Sequence, residues 1–209
     1  MVDRKVLIAI PSGDMVHARF VTSLINMLAS SRDCEILYCN QISSRIADNR
    51  NELVKFAQKA NCTHILFIDA DMTFPANGLI TLLAHDRDIV GATTCKRQEG
   101  DESPIGLVAH SEDEITNKRL TEMAVMGFPF MLVKTDVFAR LGVPYFAEPF
   151  DAEGNLIPED TFFCEHARAA GYSIWCDIEL SARMGHLGVK EYRIKPMRQE
   201  THPVVTLAA

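Results

Sequence analysis

The chain has no apolar run approaching the roughly 18 to 20 residues that a membrane-spanning helix requires; its longest, at 6–11 and 128–133, are far shorter. It also lacks an excess of positive charge. With 21 Lys and Arg against 28 Asp and Glu, the formal net charge is −7, which gives no general electrostatic reason for binding nucleic acid or an anionic membrane surface. The six cysteines, at positions 34, 39, 62, 95, 164 and 176, form no CxxC pair, so the close ligand spacing of a structural zinc site is missing. Most of them lie inside apolar segments, where Cys behaves as a small hydrophobe, and buried reduced thiols are expected. Internal repeats are absent. No helical apolar leader with a small-residue cleavage site precedes the strand-like run at 6–10, and the expectation is a soluble, cytoplasmic protein. What the 209 residues do contain is 47% hydrophobic and 23% charged side chains, which excludes disorder and allows a sizeable core in one domain.

In the first half, short apolar runs alternate with longer amphipathic ones, the pattern of strand–helix–strand units around a parallel sheet. Strands are expected at 5–10, 34–39 and 64–68, the last buried on both faces by its unbroken Ile65-Leu66-Phe67-Ile68 run. A helix over 17–29 carries Phe20, Val21, Leu24, Ile25 and Leu28 at helical spacing. A second runs from a cap at Ser43 or Ser44 to about Ala60, with Ile46, Leu53, Val54 and Ala57 facing inward. Beyond these come a short helix at 77–84, a strand at 88–94 leading to Cys95-Lys96-Arg97, and a strand at 128–134. A helix capped by Thr135 or Asp136 and ended by Gly142 follows, then a helix at 158–170 with Pro158 in its first position, and a last strand at 172–176. Between 98 and 118 the sequence turns polar and acidic, as an exposed excursion or hairpin does, whether a solvated loop or a lid over a site.

The strongest chemical signal is Asp69-Ala70-Asp71, just past the end of a buried strand. In extended backbone, residues two apart point the same way, so both carboxylates can face one cation. Ligands of open α/β sheets collect at the carboxyl ends of strands, and hard oxygen ligands suit Mg²⁺ or Mn²⁺. A second acidic pair, Glu159-Asp160, opens the helix at 158–170, where such residues also complement the helix dipole. His186 lies between glycines in Gly185-His186-Leu187-Gly188, a setting that lets backbone approach a bound group and makes the ring a candidate third ligand.

Taken in order, these pieces resemble glycosyltransferases of the GT-A fold, most closely the family-2-like group with its small stand-alone bacterial and phage members. The pattern comprises an Ile10-Pro11 strand end, Arg50-Asn51 with Leu53-Val54 and Ala57, Phe67-Ile68-Asp69-Ala70-Asp71-Met72, Gly127-Phe128 with Phe130-Met131-Leu132-Val133, Glu159-Asp160 with Phe162-Phe163-Cys164 and Ala170-Gly171-Tyr172, and Gly185-His186-Leu187-Gly188. The resemblance spans roughly residues 5–192. It implies an α/β GT-A (Rossmann-like nucleotide-diphospho-sugar transferase) fold, with a mixed, mostly parallel sheet flanked by helices. It further implies one domain over 1–209, divided into a nucleotide-sugar-binding half at about 1–95, an acceptor and catalytic half at about 96–192, and a tail.

By the same resemblance Asp69-Ala70-Asp71 is the DxD motif. Asp71 is then the main ligand of Mn²⁺ or Mg²⁺, Asp69 lies near the donor's ribose or the metal's water shell, and His186 completes the metal and diphosphate site. Pro11, Ser12, Arg50 and Asn51 fall where such enzymes hold the nucleotide, Arg50 being suited to a forked grip on phosphate. Asp160 matches the base of inverting members, with Glu159 positioning the acceptor or the base. Retaining enzymes share the DxD and the histidine, so only the Glu159-Asp160 pair points to inversion. The implied donor is a UDP- or GDP-sugar; the acceptor is a glycan, a lipid-linked saccharide, a protein or a modified DNA base. Two other readings remain. A sugar-nucleotide pyrophosphorylase would open with a Gly-rich signature, where this chain has Pro11-Ser12-Gly13-Asp14. A non-catalytic nucleotide-binding protein of the same fold has no need of Asp69, Asp71, Asp160 and His186 together.

Overall fold

The structure, a computed structural model, describes residues 4–97, 104, 108–109, 119–188 and 191–193. Period-two alternation in two strands organises its centre. In β1 (Lys5–Ser12) and β3 (His64–Ile68) every residue after the first is buried, and successive side chains go to opposite faces. Leu7, Ala9, Ile65 and Phe67 enter one apolar cluster, and Val6, Ile8, Ile10, Leu66 and Ile68 the other. Strands apolar on both faces must be covered on both, and helices do this.

The remaining strands of the main sheet are β2 (Glu35–Ile42), β5 (Ile89–Ala92), β6 (Val108–Ala109), β7 (Leu120–Val125), β8 (Phe130–Lys134) and β9 (Ile174–Asp177). Among the described residues eight strands lie in the order β2-β1-β3-β8-β5-β9-β7-β6. β1 pairs in parallel with β2 and β3, and β5 with β9, while β8 is antiparallel to β3 and β5, and β7 to β9 and β6. Six of the eight strands therefore run one way, with β7 and β8 reversed. β5 can lie this close to its neighbours because Gly91 has no side chain: a Cβ there would stand 2.7 Å from the Phe130 carbonyl oxygen.

The chain steps from β1 to β2 and then back past β1 to β3. Right-handed crossovers in opposite directions put the connecting helices on opposite faces. Accordingly Phe20, Leu24 and Met27 of α1 (Ala18–Ser30) enter the second cluster, and Leu53, Val54 and Ala57 of α2 (Ile46–Lys59) the first. α3 (Gly78–Ala84) joins α1, whereas α4 (Thr135–Leu141) and α5 (Glu159–Ala169) join α2 around Phe67, whose ring meets Phe128, Phe138 and Phe146 edge-on. Where α1 and α2 diverge, a crevice opens beyond the carboxyl ends of β1 and β3. A second sheet stands over it: β4 (Met72–Thr73), β10 (Gly185–Leu187) and β11 (Glu191–Tyr192), with His186 paired to Met72. A short α6 (Ile178–Ser181) follows β9, capped by Asp177, which accepts from the Leu180 amide at 2.8 Å.

Several boundaries differ from the sequence reading. α2 starts at Ile46, and neither Ser43 nor Ser44 caps it; the Ser43 hydroxyl oxygen accepts from the Arg45 amide (3.1 Å), bending the chain before the helix. Lys134 holds the cap position of α4, so Thr135 is already in the first turn, and Pro158 precedes α5 rather than starting it. β2 runs on through Asn40 and Gln41 because, as the edge strand, it answers the full length of β1 and is not required to be apolar. β7 and the small sheet carry no strong pattern of their own; pairing partners define them. Of the polar stretch at 98–118, only Pro104, bridged to Cys95, and β6 are described. A lid at 98–118 and the tail beyond 193 lie outside the described residues. Among the described residues no helix is long and apolar enough to cross a membrane.

Candidate active site

The crevice is a cleft of about 580 Å³ whose walls include Pro11, Ser12, Arg50, Asp69, Asp71, Glu159, Asp160 and His186. Pro11 and Ser12 end β1, and the Ser12 hydroxyl donates to Asn40 Oδ1 at 2.7 Å, tying this rim to β2. Asp69 follows β3, its amide donating to the Pro129 carbonyl (3.2 Å). Thus eight of the nine residues singled out by motif share one cavity; Asn51 does not.

Arg50 is the centre of this arrangement. Its side chain is 3% exposed, with one terminal nitrogen on Asp69 Oδ1 at 3.1 Å and the other on Glu159 Oε1. The guanidinium carbon stands 5.0 Å from the Phe128 ring centre and 5.8 Å from that of Phe146, so the cation is stacked on aromatic faces as well as forked between carboxylates. Both terminal nitrogens are thereby engaged. From α2 the guanidinium thus holds Asp69 and Glu159 at fixed positions, while its buried Nε has no hydrogen-bond partner among the described residues.

Burial pushes the Asp69 carboxyl up to about 6 from an ordinary 3.8; the Asp71 and Glu159 charges add to this and Arg50 opposes it. The folded protein then binds more protons than the unfolded chain between about pH 4 and about pH 6. Stability contributed by the protonated form is present below that window and lost as pH rises through it. Urea unfolding of metal-free protein across this range should show the loss, and Asp69→Asn should abolish it. An unaltered pH slope in the variant would show that another group is responsible.

Asp71 belongs to a different cluster. Its Oδ2 lies 3.0 Å from an Arg97 nitrogen and 3.3 Å from His186 Nε2. The small sheet makes this meeting: the Leu187 amide donates to the Asp71 carbonyl at 2.7 Å, next to the His186–Met72 pair. His186 Nδ1 is 2.9 Å from the Cys95 carbonyl oxygen and donates to it, which leaves Nε2 as the atom aimed at Asp71. Burial works against charge on both groups. The mutual hydrogen bond prevails, assisted by Arg97 at Asp71 and by the Cys95 carbonyl at His186, so the Asp71 pKa is lowered and the His186 pKa raised.

The donors of this pair fit a divalent cation. A carboxylate oxygen and an imidazole nitrogen are both ligand types that divalent cations accept, the ring once its Nε2 proton is released. Among the described residues no group of three or more His, Cys, Asp or Glu side chains is placed to hold a metal. Asp69, expected as a ligand, pairs with Arg50 through Oδ1, and among the described residues Asp71 and His186 are the two candidate ligands that meet. Mg²⁺ and Mn²⁺ accept such a site, since they keep further positions for water or phosphate oxygens.

Glu159 and Asp160 open α5 and line the same cleft. Glu159 is held by Arg50. Asp160 Oδ1 accepts from the Thr161 amide at 2.7 Å, while Oδ2 lies toward Gly127, where an added Cβ would stand 3.5 Å away. Asn51 faces elsewhere: its Nδ2 donates to the Phe146 carbonyl (2.8 Å), and its Oδ1 accepts from the Tyr145 and Phe146 amides (both 3.1 Å). It shapes the loop that carries Phe146 under Arg50 and contributes no wall to the cleft. Asn51→Ala should lower the unfolding free energy by about 2 to 4 kcal/mol, because two backbone N–H groups lose their acceptor, without weakening nucleotide binding. Urea denaturation and a nucleotide titration check both parts.

Sequence reasoning missed Arg97, Thr94 and the serines at 43 and 44 as cleft residues. The available signal for Arg97 was a basic pair, Lys96-Arg97, just beyond a buried strand; charge does not end a buried strand without a partner.

The order of strands, the two-sided helical cover and the cleft at the carboxyl edge make this a GT-A-like α/β fold. Compared with known families and with curated proteins, the sequence matches none. Solved structures do resemble it. A197 from STIV has a TM-score of 0.57 at 15% identity, over 93% of this chain and 95% of that one. S. aureus TarS 1-349, in complex with UDP-GlcNAc, has a TM-score of 0.51 at 16% identity, over 99% of this chain and 62% of that one. This chain therefore spans somewhat less than two thirds of the TarS structure. At these identities the likeness establishes the fold alone.

Proposed function

We propose that the protein is a family-2-like, inverting glycosyltransferase that moves a sugar from a nucleotide-diphosphate donor to an acceptor hydroxyl, with Mn²⁺ or Mg²⁺ held by Asp71 and His186. The observation that supports this reading is the convergence of these acidic and basic groups on one cleft. Asp71 and His186 form a cation-competent pair, Asp160 lines the same cleft, and Arg50 holds Asp69 and Glu159 there. The UDP-GlcNAc bound in the TarS structure supports a UDP- or GDP-sugar as donor.

On this reading Pro11, Ser12 and the 43–44 loop hold the nucleoside over β1, and Asp69 lies beside its ribose. The divalent ion would neutralise charge gathering on the departing diphosphate. Asp160 takes the proton of the acceptor hydroxyl as its oxygen attacks the anomeric carbon; the bond to the diphosphate oxygen breaks, and its electron pair leaves with the diphosphate. Attack from the face opposite the leaving group inverts the centre. Glu159, immobilised by Arg50, limits the positions open to the acceptor.

Asp160→Asn tests the assignment. It should lower transfer by about 10² to 10⁴-fold, the usual range of a general base, and leave donor affinity within about twofold. Transfer at the wild-type rate would remove Asp160 from the role.

A further inference from the structure

Two basic side chains meet Asp71 on one oxygen. Oδ2 lies 3.0 Å from a terminal nitrogen of Arg97 and 3.3 Å from His186 Nε2. The same Arg97 nitrogen donates to the Leu187 carbonyl at a longer 3.4 Å, and Arg97, Asp71 and His186 all line the cleft. The two arginines of the cleft differ in how firmly they are held. Arg50 is 3% exposed and forks to two carboxylates, whereas Arg97 is 50% exposed and its ion pair runs through a single nitrogen. A half-exposed pair of this kind is weak, because water screens it and the side chain regains rotamer freedom on release. Arg97 is therefore able to leave Asp71 without disturbing the fold.

Resting on the metal-dependent reading above, we propose that Arg97 is a placeholder cation: it neutralises Asp71 until a divalent ion binds, is displaced by that ion, and then holds the donor's diphosphate. A cation bound through Asp71 Oδ2 and His186 Nε2 takes the oxygen that Arg97 now uses, and a guanidinium left beside a doubly charged ion is repelled by it. Two neighbouring carboxylates of the cleft, Asp69 and Glu159, are already taken by Arg50. Asp71 alone does not neutralise both a divalent ion and Arg97, so the two together attract an anion. A diphosphate has oxygens enough to bridge the ion and the guanidinium, and the planar Arg fork matches them. Arg97 thus opposes the metal when the metal comes alone and favours it when it comes with a diphosphate, which couples the two ligands.

Metal and diphosphate are read separately, with no sugar transfer. Mn²⁺ binding to the nucleotide-free full chain is followed by electron paramagnetic resonance at about pH 8, above the ordinary histidine range. UDP, GDP, CDP and TDP are then titrated calorimetrically at saturating Mn²⁺. Arg97→Gln should bind Mn²⁺ about threefold or more tightly than wild type, since a competing cation is gone. The diphosphate that wild type binds best should bind this variant about tenfold more weakly, the loss of one charge-assisted hydrogen bond. These opposite signs distinguish the exchange from damage to the site, which weakens both ligands. Arg97→Lys, which keeps charge but not the fork, should hold Mn²⁺ affinity near wild type and lose less diphosphate affinity than Arg97→Gln. Mn²⁺ affinity in Arg97→Gln equal to or below wild type, or undiminished diphosphate affinity, would overturn the proposal. Asp71→Ala locates the failure. Mn²⁺ lost in Asp71→Ala but bound no better in Arg97→Gln strikes Arg97 alone, whereas Mn²⁺ kept in Asp71→Ala, or no diphosphate binding at all, strikes the reading beneath it and the proposal together.

Discussion

Asp71→Ala should lower transfer by about 10³-fold or more at fixed donor and Mn²⁺, because the several kcal/mol of transition-state stabilisation that a metal supplies depend on holding it. The fold should survive the change. The Asp71 backbone is fixed by the Leu187 amide, and the two groups that lose their partner are accommodated differently: Arg97 is half exposed and stays hydrated, and His186 can shed its proton while keeping the Cys95 carbonyl. Mn²⁺ affinity, read by electron paramagnetic resonance, should fall together with activity. Asp71→Asn should behave like Asp71→Ala, since the amide preserves shape and loses charge. A variant that retains wild-type Mn²⁺ affinity would move the metal away from this residue.

Arg50→Met should have the largest effect on stability, a loss of about 3 to 5 kcal/mol, the range for breaking a buried ion pair and leaving its partner charged. Glu159 is only 13% exposed and Asp69 33%, so Glu159 bears most of the cost. Adding Glu159→Gln should recover part of it, as expected for residues in contact. Arg50→Lys should not substitute, because a single ammonium cannot fork to carboxylates on two elements or stack on Phe128 and Phe146 in the same way. Denaturant midpoints of the four proteins decide the matter; a loss below about 1 kcal/mol in Arg50→Met would show that the bridge is not what fixes the two carboxylates.

Where burial alone decides structure, the sequence was legible. The unbroken Ile65-Leu66-Phe67-Ile68 run and the spacing of Leu53, Val54 and Ala57 placed β3 and α2 because each must cover the other's apolar surface. Asp69-Ala70-Asp71 stood out because two acids at the end of such a strand have no use in the core. Their division of labour was not legible. Residues two apart point the same way only in regular extended backbone, and the turn at Ala70–Asp71 breaks that rule, sending Asp69 to Arg50 and Asp71 to His186. The bridge from Arg50 to Glu159 was not legible either, because the two lie far apart in the sequence. Asn51 likewise shows its role only through the backbone of Tyr145 and Phe146. β7, β10 and β11 are strands by virtue of their partners, so no local pattern announces them.

The central claim, that this cleft holds a nucleotide sugar through a divalent ion, is tested most directly by titrating UDP-, GDP-, CDP- and TDP-sugars into the protein with Mn²⁺ and again with EDTA. One donor class should bind in Mn²⁺ and lose at least about tenfold in affinity in EDTA, with the Mn²⁺-dependent part absent in Asp71→Ala. Binding of none of these donors, or binding indifferent to both the metal and Asp71, would contradict the account.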